Sequence, residues 1–266
     1  MDSRQLELHA SMEERHWWFL GRRRVLHDLV TAAVPSSGST TIVDVGCGTG
    51  ANIAAFDPQY RVVGIDPSPA AVDLAARRFP QVAFLCGEAE VIGAEALARA
   101  DLVLLTDVLE HVADDRRFLA GLLARLKGGA RLLATVPAHP ELWSSHDIAL
   151  GHHRRYTAET FRQLWNVRDV EFELISYFNS RLFPIARLSR VRSQKLGVSL
   201  GSRGTDLKVP WRPVNAMLAR VFAGEAHRLR RVLGGGARPY RNGLSLIGLF
   251  RCGGEGEALP VDDALA

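Results

Sequence analysis

The chain has few cysteines and no long apolar run, and both absences limit what it can be. Its 266 residues include three cysteines, Cys47, Cys86 and Cys252, which lie far apart and form no Cys-x-x-Cys pair. This pattern excludes a disulfide framework and a structural zinc site. The apolar runs are too short to span a bilayer, and the charged N-terminus lacks a signal-peptide pattern. We therefore expect a cytoplasmic protein with reduced thiols.

Acidic residues are scarce in one segment, 181–241. It contains fourteen lysines and arginines against two acids, a net charge of +12, although the whole chain carries only +4. Such a concentration of positive charge favours an anionic partner, which could be a phosphorylated substrate, an acidic lipid or a nucleic acid. An arginine-rich solvated surface is the alternative interpretation. The sequence gives no indication of an oligomeric state.

Apolar periodicity predicts strands that alternate with helices. The predicted strands are Thr41–Val45, Arg61–Ile65, Val82–Cys86, Leu102–Thr106, Arg131–Val136, Val170–Phe178 and Leu244–Phe250. Repeated strand-helix units require a parallel sheet with right-handed crossovers. The predicted fold class is therefore α/β, a Rossmann-like seven-stranded mostly parallel sheet with flanking helices.

The chain divides into a sheet domain with two helical attachments. We expect residues 40–180 and 242–253 to form the sheet domain and residues 1–34 to form an N-terminal helical cap. The basic segment 181–241 is too long for an ordinary loop, so we expect a helical insertion that serves as a substrate lid. Within it, an amphipathic helix is predicted from Pro213, packed on the core; peripheral membrane contact is the alternative. The tail from Glu255 onward is expected to fray.

A glycine-rich turn follows the first predicted strand. Gly46 and Gly48 let the backbone approach a ligand closely, and the turn leads into a helix N-terminus. The spacing Gly46-x-Gly48-x-x-Ala51 fits the dinucleotide fingerprint, and Asp66 stands twenty residues beyond Gly46. An NAD-binding oxidoreductase is therefore one interpretation of this turn.

Three further features favour a different nucleoside cofactor. Asp44 precedes the turn, Gly50 adds a third glycine, and the third strand ends in Gly87-Glu88-Ala89. With these features the sequence resembles the class I methyltransferases that use S-adenosylmethionine (SAM). The segments that resemble their motifs are Val43–Gly50, Gly64–Ser68 and Asp101–Val112.

The resemblance implies a role for each matching residue. Asp66 would hold both ribose hydroxyls, Glu88 would accept a hydrogen bond from the adenine amino group, and the Ala89 amide would serve the ring. Family members more often carry Asp than Glu at position 88. The residues that the resemblance assigns to the SAM site are Asp44, Gly46, Cys47, Gly48, Gly50, Asp66, Pro67, Glu88, Ala89 and Thr106.

A second resemblance concerns a metal. Asp107-x-x-Glu110-His111 is similar to the Glu-x-x-Glu-His pattern of the ubiquinone O-methyltransferases, in which the three residues bind a divalent ion. Two carboxylates and an imidazole are suitable ligands for a cation such as Mg²⁺. The alternative is that Glu110 and His111 only cap and pack.

The loop after the fifth strand of the series is rich in histidine and arginine. It follows the carboxyl end of a strand, where ligands of open α/β folds collect. His146 or His153 could act as general base, and Arg154, Arg155 and Tyr156 could hold an anionic acceptor. The predicted catalytic residues are thus His146, His153 and Tyr156.

The N-terminal helices carry a further signature. His16-Trp-Trp-Phe19 resembles the N-terminus of a bacterial methyltransferase group associated with polysaccharide, lipid or secondary-metabolite pathways. These side chains could cover the SAM pocket and exclude water. Alternatively, the tryptophans only anchor the first helix.

Together these features predict SAM-dependent methyl transfer to a small amphipathic or anionic acceptor. Oxygen is favoured over carbon or nitrogen as the methylated atom, and the acceptor could be a prenyl-linked, lipid-linked or secondary-metabolite intermediate. An RNA methyltransferase that uses the basic segment is the main alternative. Against it, the chain lacks an Asn/Asp-Pro-Pro-Tyr motif and a recognisable RNA-binding module. A SAM-binding partner subunit without activity is a third interpretation.

Overall fold

The computed structural model describes residues 3–167, 169–188 and 208–253, and its strands form one mixed sheet. In chain order the strands are β1 (Thr41–Val45), β2 (Arg61–Asp66), β3 (Ala83–Cys86), β4 (Leu102–Thr106), β5 (Arg131–Pro137), β6 (Val170–Phe178) and β7 (Ser245–Cys252). Their order across the sheet is β3-β2-β1-β4-β5-β7-β6, and β7 is antiparallel to both neighbours. The predicted Rossmann-like class with seven mostly parallel strands is confirmed.

Helices cover both faces of the sheet. In chain order they are α1 (Ser3–Arg15), α2 (Trp17–Ala33), α3 (Ala51–Ala54), α4 (Pro69–Arg78), α5 (Ala89–Ile92), α6 (Ala94–Arg99), α7 (Asp115–Leu123), α8 (Ser145–Leu150), α9 (Ala158–Leu164), α10 (183–188), α11 (Arg212–Ala223) and α12 (Glu225–Leu233). Among the described residues, no helix combines the length and the apolar character that a membrane span requires. The predicted frayed tail lies outside the described residues.

One helical region differs in detail from the sequence prediction. The amphipathic helix predicted from Pro213 is divided at Gly224 into α11 and α12. The Gly224 carbonyl accepts a hydrogen bond from Arg181 at 3.1 Å. The N-terminal cap consists of two helices that meet at His16, whose ring Nδ1 accepts the Trp18 N–H at 3.2 Å and so caps α2.

The helices of the basic segment pack against the N-terminal helices. Asn215 on α11 accepts the Trp17 N–H at 2.9 Å and donates to the Arg15 carbonyl at 2.7 Å. Gly21 on α2 makes room for Phe222, because a Cβ there would lie 2.7 Å from that ring. Segments nearly 200 residues apart in sequence thus form one helical layer.

The parallel strands end at one edge of the sheet. β1, β2, β3, β4 and β5 run in the same direction, so the loops that follow them all emerge at that edge. Every predicted cofactor, metal and catalytic residue of the sequence analysis lies in or beside one of these loops. The fold therefore brings together motifs that are up to about a hundred residues apart.

Candidate active site

The glycine turn after β1 has the backbone conformation that requires glycine. Gly46, Gly48 and Gly50 have φ values of 73°, 53° and 84°, a region that costs other residues about 1–2 kcal/mol each. The Gly46 and Cys47 amides both donate to the Ile65 carbonyl, at 2.8 and 3.1 Å. A Cβ at Gly48 would meet no protein atom within 4 Å. The turn therefore leaves open space beside Gly48.

Asp66 is held in a fixed orientation at the end of β2. One carboxylate oxygen accepts the Gly48 N–H at 2.8 Å and the other accepts the Ser68 N–H at 2.9 Å. Each oxygen retains lone-pair capacity for a further hydrogen bond. The backbone thus pre-orients a carboxylate that can receive two hydroxyl groups.

A cavity of about 890 Å³ opens beside this turn. Of the residues predicted to hold SAM, those that line it are Gly46, Cys47, Gly48, Asp66, Pro67, Glu88, Ala89 and Thr106. Asp44 and Gly50 are not among the lining residues. Gly50 instead faces Phe84, where a Cβ would lie 2.8 Å from the ring. Any role of Asp44 and Gly50 in binding is therefore exerted through the shape or charge of the turn.

Asp44 lies beneath the turn and is fully buried. Neither of its carboxyl oxygens has a hydrogen-bond partner among the described residues. Burial raises the pKa of Asp44 to about 8, and Arg22 opposes this rise. At neutral pH the carboxyl group is therefore largely protonated in the ligand-free chain.

The first helix is tied to the glycine turn by a buried carboxylate. Glu13 on α1 accepts hydrogen bonds from the Thr49 hydroxyl and, at 3.0 Å, from Arg78. Arg78 also donates to the Thr49 carbonyl at 2.8 Å. These contacts fix α1 over the cavity, which it lines with His9 and Glu13.

Arg22 on α2 projects a buried positive charge into the cavity. It is 5% exposed, lies 4.9 Å from the Trp18 ring centroid and pairs with Asp107 at 3.0 Å. The sequence analysis assigned it no role. The sequence did contain one indication of a role for Arg22. It lies four residues after Trp18, and residues at that spacing share one helix face.

The residues predicted to bind a metal do not form the expected trio. Asp107 adopts φ 59°, accepts a hydrogen bond from the Thr135 hydroxyl at 2.9 Å and pairs with Arg22. The group with metal-ligand spacing is instead Glu110, His111 and His152, whose ligand atoms all lie within 4.8 Å of one another. Asp107 is drawn toward β5 and α2, and His152 takes its place beside Glu110.

Glu110 and His111 line one wall of the cavity, where Glu110 is buried and His111 is partly open to solvent. Burial raises the pKa of Glu110 well above its usual range, and the nearby Asp107 raises it further. One Glu110 oxygen, Oε2, has no hydrogen-bond partner among the described residues. Burial, followed by the neighbouring His152, lowers the pKa of His111. These shifts favour a neutral carboxyl on Glu110 and a neutral imidazole on His111.

His152 is oriented by a buried carboxylate. Its Nδ1 lies 3.0 Å from Asp147 Oδ1, and Asp147 is completely buried. Arg155 donates to the same oxygen at 2.8 Å, and the Ser144 amide donates to the other at 2.9 Å. An Asp–His pair held in this way fixes the imidazole tautomer and leaves Nε2 as the basic nitrogen.

The structure separates the three predicted catalytic residues. His146 lines the cavity, but His153 is exposed outside it. Tyr156 is buried, and its hydroxyl donates to Asp115 at 2.7 Å. Burial, with the contribution of Asp115, raises the pKa of Tyr156. The cavity receives His152 rather than its neighbour His153, because the turn at Gly151 directs residue 152 toward Asp147.

Comparison with known proteins identifies the family. The family model for a methyltransferase domain matches residues 18–177, which is more than half of the chain. The chain belongs to the class I methyltransferase family. This membership removes the nicotinamide-dependent oxidoreductase as an interpretation of the glycine turn.

Two curated relatives cover part of this methyltransferase. A trans-aconitate 2-methyltransferase of Azoarcus sp. (strain BH72) is 34% identical over 119 residues, 44% of this chain and 46% of the relative. A ubiquinone biosynthesis O-methyltransferase of Coxiella burnetii (strain Dugway 5J108-111) is 25% identical over 144 residues, 50% of this chain and 61% of the relative. The matches thus span about half the length of the relatives.

A solved structure resembles nearly the whole methyltransferase chain. It belongs to the complex between the Haloferax volcanii Trm112 methyltransferase activator and a methyltransferase. The TM-score is 0.59 with 17% identity, over 95% of this chain and 96% of that one. At this identity the likeness establishes the fold, and the reaction has to be argued from the site.

Proposed function

We propose that this chain transfers a methyl group from SAM to an oxygen atom of a small amphipathic or anionic acceptor. The observation that carries the proposal is the single cavity that joins the glycine turn to His146 and His152. Methyl transfer needs both reactants in one water-poor chamber, with the acceptor oxygen in line with the sulfur–methyl bond. A cavity of about 890 Å³ is within the size range of ligand sites.

SAM would occupy the end of the cavity beside β1, β2 and β3. Asp66 would accept the two ribose hydroxyls, Glu88 and the Ala89 amide would hold the adenine, and the space beside Gly48 would admit the methionine part. Arg22 would pair with the methionine carboxylate, because it is a buried cation that lines the cavity. The positive charges of SAM would in turn favour ionisation of the buried Asp44.

The reaction would be an in-line displacement at the methyl carbon. The acceptor oxygen forms a bond to that carbon while the sulfur–carbon bond breaks, and the electron pair returns to sulfur as S-adenosylhomocysteine (SAH) leaves. For a hydroxyl acceptor, His152 Nε2 would take the proton, and Asp147 would stabilise the imidazolium that forms. His146 lines the same part of the cavity and would contact the acceptor.

Glu110, His111 and His152 also provide one carboxylate and two imidazoles, a donor set that suits a borderline divalent ion better than Mg²⁺. An ion held there would act as a Lewis acid on the acceptor oxygen. The general-base proposal predicts that turnover is insensitive to chelators. Loss of turnover in a chelator, with recovery on adding Zn²⁺ or Mn²⁺, would instead assign the trio as ligands.

Features of the cavity and of one relative support an oxygen acceptor with an apolar part. Apolar side chains of Leu182, Ile185 and Leu218 line the cavity beyond the histidines. The name of the C. burnetii relative specifies O-methylation in ubiquinone biosynthesis. The name of the Azoarcus relative specifies trans-aconitate, a small anion. The division into a cap, a sheet domain and a lid remains part of the proposal, with residues of all three lining one cavity.

Incubation with methyl-labelled SAM and a metabolite extract tests the proposal. Label should pass to a small molecule in the organic or anionic fraction, and SAH should accumulate in proportion. If the label instead enters total cellular RNA and no small molecule is labelled, the result favours the second candidate, an RNA methyltransferase. The observation that supports this candidate is the +12 charge of residues 181–241. If no SAH is released with either the metabolite extract or RNA, transferase activity is contradicted.

A further inference from the structure

A second cavity, of about 450 Å³, lies next to the first and is lined by arginines. We call it the arginine pocket and define it by Ser180, Arg181, Arg228, Arg238, Tyr240 and Arg241. Four of these six residues carry a permanent positive charge. None of the cofactor or acceptor residues discussed above belongs to it.

Two of the four guanidinium groups are fixed in place by the backbone. Arg181 donates to the Val221 and Gly224 carbonyls at 3.3 and 3.1 Å. Arg228 donates through two nitrogens to the Arg238 carbonyl, at 3.2 and 3.1 Å, and lies 4.4 Å from the Tyr240 ring centroid. Because their partners are carbonyls and a ring, the positive charge of these groups is not cancelled.

Among the described residues, an acid beside the pocket, Glu225, is used for another purpose. Glu225 is completely buried, and its Oε1 accepts the Ser180 and Arg181 amides, both at 2.8 Å. It thereby fixes the start of the segment that carries Arg181. Burial raises the pKa of Glu225, and the hydrogen bonds from the two amides oppose this rise.

The arginine pocket adjoins the acceptor end of the large cavity. Ser180 and Arg181 line the pocket, while the next residue, Leu182, lines the cavity. Likewise Asn242 lines the pocket and Leu244 lines the cavity. Two residues of chain span at most about 7 Å. The linings of the pocket and the cavity are therefore only one or two residues of chain apart at both of these places.

We propose that the arginine pocket binds a phosphate or diphosphate group carried by the methyl acceptor. Planar guanidinium groups held by backbone carbonyls are suited to the oxygens of phosphate, which accept paired hydrogen bonds. The assignment of this phosphate group to the acceptor rests on the proposed function. Phosphate binding by the pocket is independent of the proposed function. The acceptor is then an amphipathic phosphate or diphosphate ester whose reacting oxygen lies beyond Leu182 and Leu244.

Calorimetry with inorganic pyrophosphate tests the pocket itself. Binding should be saturable, and Arg228→Gln should weaken it about tenfold or more, since it removes one charge and two fixed donors. Arg241→Gln, on an exposed residue whose loss should not disturb folding, should weaken binding in the same direction. Arg77→Gln, also exposed but on α4, is the matched control and should leave affinity unchanged. Absence of saturable binding, or an equal loss in Arg77→Gln, would overturn the proposal.

Inhibition of methyl transfer tests the link to the acceptor. In the labelled-SAM assay, pyrophosphate should compete with the acceptor and not with SAM, and Arg228→Gln should relieve the inhibition. Failure to inhibit would separate the pocket from the acceptor. If every variant binds SAH with wild-type affinity, the proposed SAM site stands whatever the outcome of the pyrophosphate experiment.

Two further probes distinguish the source of the phosphate. Single-stranded RNA and phosphatidic-acid vesicles should bind weakly, and pyrophosphate should displace them. Tight retention of RNA or vesicles that resists pyrophosphate and is lost in Arg228→Gln would assign the pocket to a nucleic acid or a membrane surface and would overturn the small-molecule proposal.

Discussion

The motif residues at the cofactor end of the cavity lie within residues 45–106, whereas the residues assigned to the acceptor end come from stretches between residues 110 and 245. At the cofactor end, backbone amides fix the important side chain, as they do for Asp66. At the acceptor end, side chains fix other side chains, as Asp147 does for His152. A site fixed by local backbone leaves a sequence motif, and a site assembled from distant side chains does not.

Removal of the Asp66 carboxylate should have the largest effect. Asp66→Ala deletes the ribose acceptor and the partner of two backbone amides, so SAH affinity should fall by roughly a thousandfold. Asp66→Asn keeps one acceptor oxygen and should lose less. Titration calorimetry measures both variants. Wild-type affinity in Asp66→Ala would break the cofactor side of the comparison.

Adjacent histidines provide a matched pair at the acceptor end. His152→Ala should lower kcat by roughly a hundredfold, the contribution of a general base, with SAH affinity unchanged. His153→Ala, one residue further along and exposed, should retain wild-type turnover. The labelled-SAM assay and SAH calorimetry measure the two quantities. If His153→Ala has a low kcat and His152→Ala turns over at the wild-type rate, His153 is the general base, as the sequence suggested.

Arginines on one helix test whether α2 contributes to cofactor binding. Arg22→Gln removes the buried cation from the cavity and should weaken SAH binding about tenfold. Arg24→Gln removes an exposed arginine of the same helix, paired with Asp28, and should have little effect. Calorimetry again measures affinity. If Arg22→Gln and Arg24→Gln bind SAH with equal affinity, α2 does not contribute to cofactor binding, and only the loops at the sheet edge do.

Two glycines with positive φ separate strain from ligand contact. Gly48 and Gly129 have φ values of 53° and 80°, and a Cβ at either would meet no protein atom within 4 Å. Alanine at either should therefore cost about 1–2 kcal/mol of stability. Only Gly48→Ala places a methyl group in the cavity, so it alone should weaken SAH binding, by a few-fold. Thermal unfolding and calorimetry check the pair, and weakened binding in Gly129→Ala would contradict the assignment.

The smallest effect on SAH binding concerns Asp44, which alters stability without lining the cavity. Burial raises its pKa to about 8, whereas the unfolded chain releases this proton near pH 4. Between these values the folded state holds the extra proton, so wild-type stability falls as pH rises. Asp44→Asn cannot titrate, and its free energy of unfolding should fall less steeply, by up to about 1.4 kcal/mol per pH unit. Urea denaturation from pH 5 to pH 7 measures the slopes, and identical slopes would reject a protonated Asp44.

Prediction from the sequence succeeded where the signal was local. The bounds of Thr41–Val45 and Leu102–Thr106 agree with the structure, because buried parallel strands are continuous apolar runs. The predicted amphipathic helix is interrupted at Gly224, whose carbonyl accepts a hydrogen bond from Arg181. A contact between residues more than forty positions apart has no signature in a single sequence.

The same distinction explains the candidate site. Eight of the ten predicted cofactor residues line the cavity, since they follow consecutive strands that share one edge. The group with metal-ligand spacing contains His152 in place of the predicted Asp107. Asp107 forms an ion pair with Arg22 and a hydrogen bond with Thr135, which lie on other elements. The choice of His152 over His153 depends on the position of Asp147 in space. Apolar periodicity contains no information on that position.

A crystal structure with SAH tests the central claim most directly. The ribose hydroxyls should lie within hydrogen-bond distance of the Asp66 carboxylate, the adenine beside Glu88 and Ala89, and the sulfur should face His152 across the same cavity. SAH bound elsewhere, or bound with its ribose away from Asp66, would contradict the account.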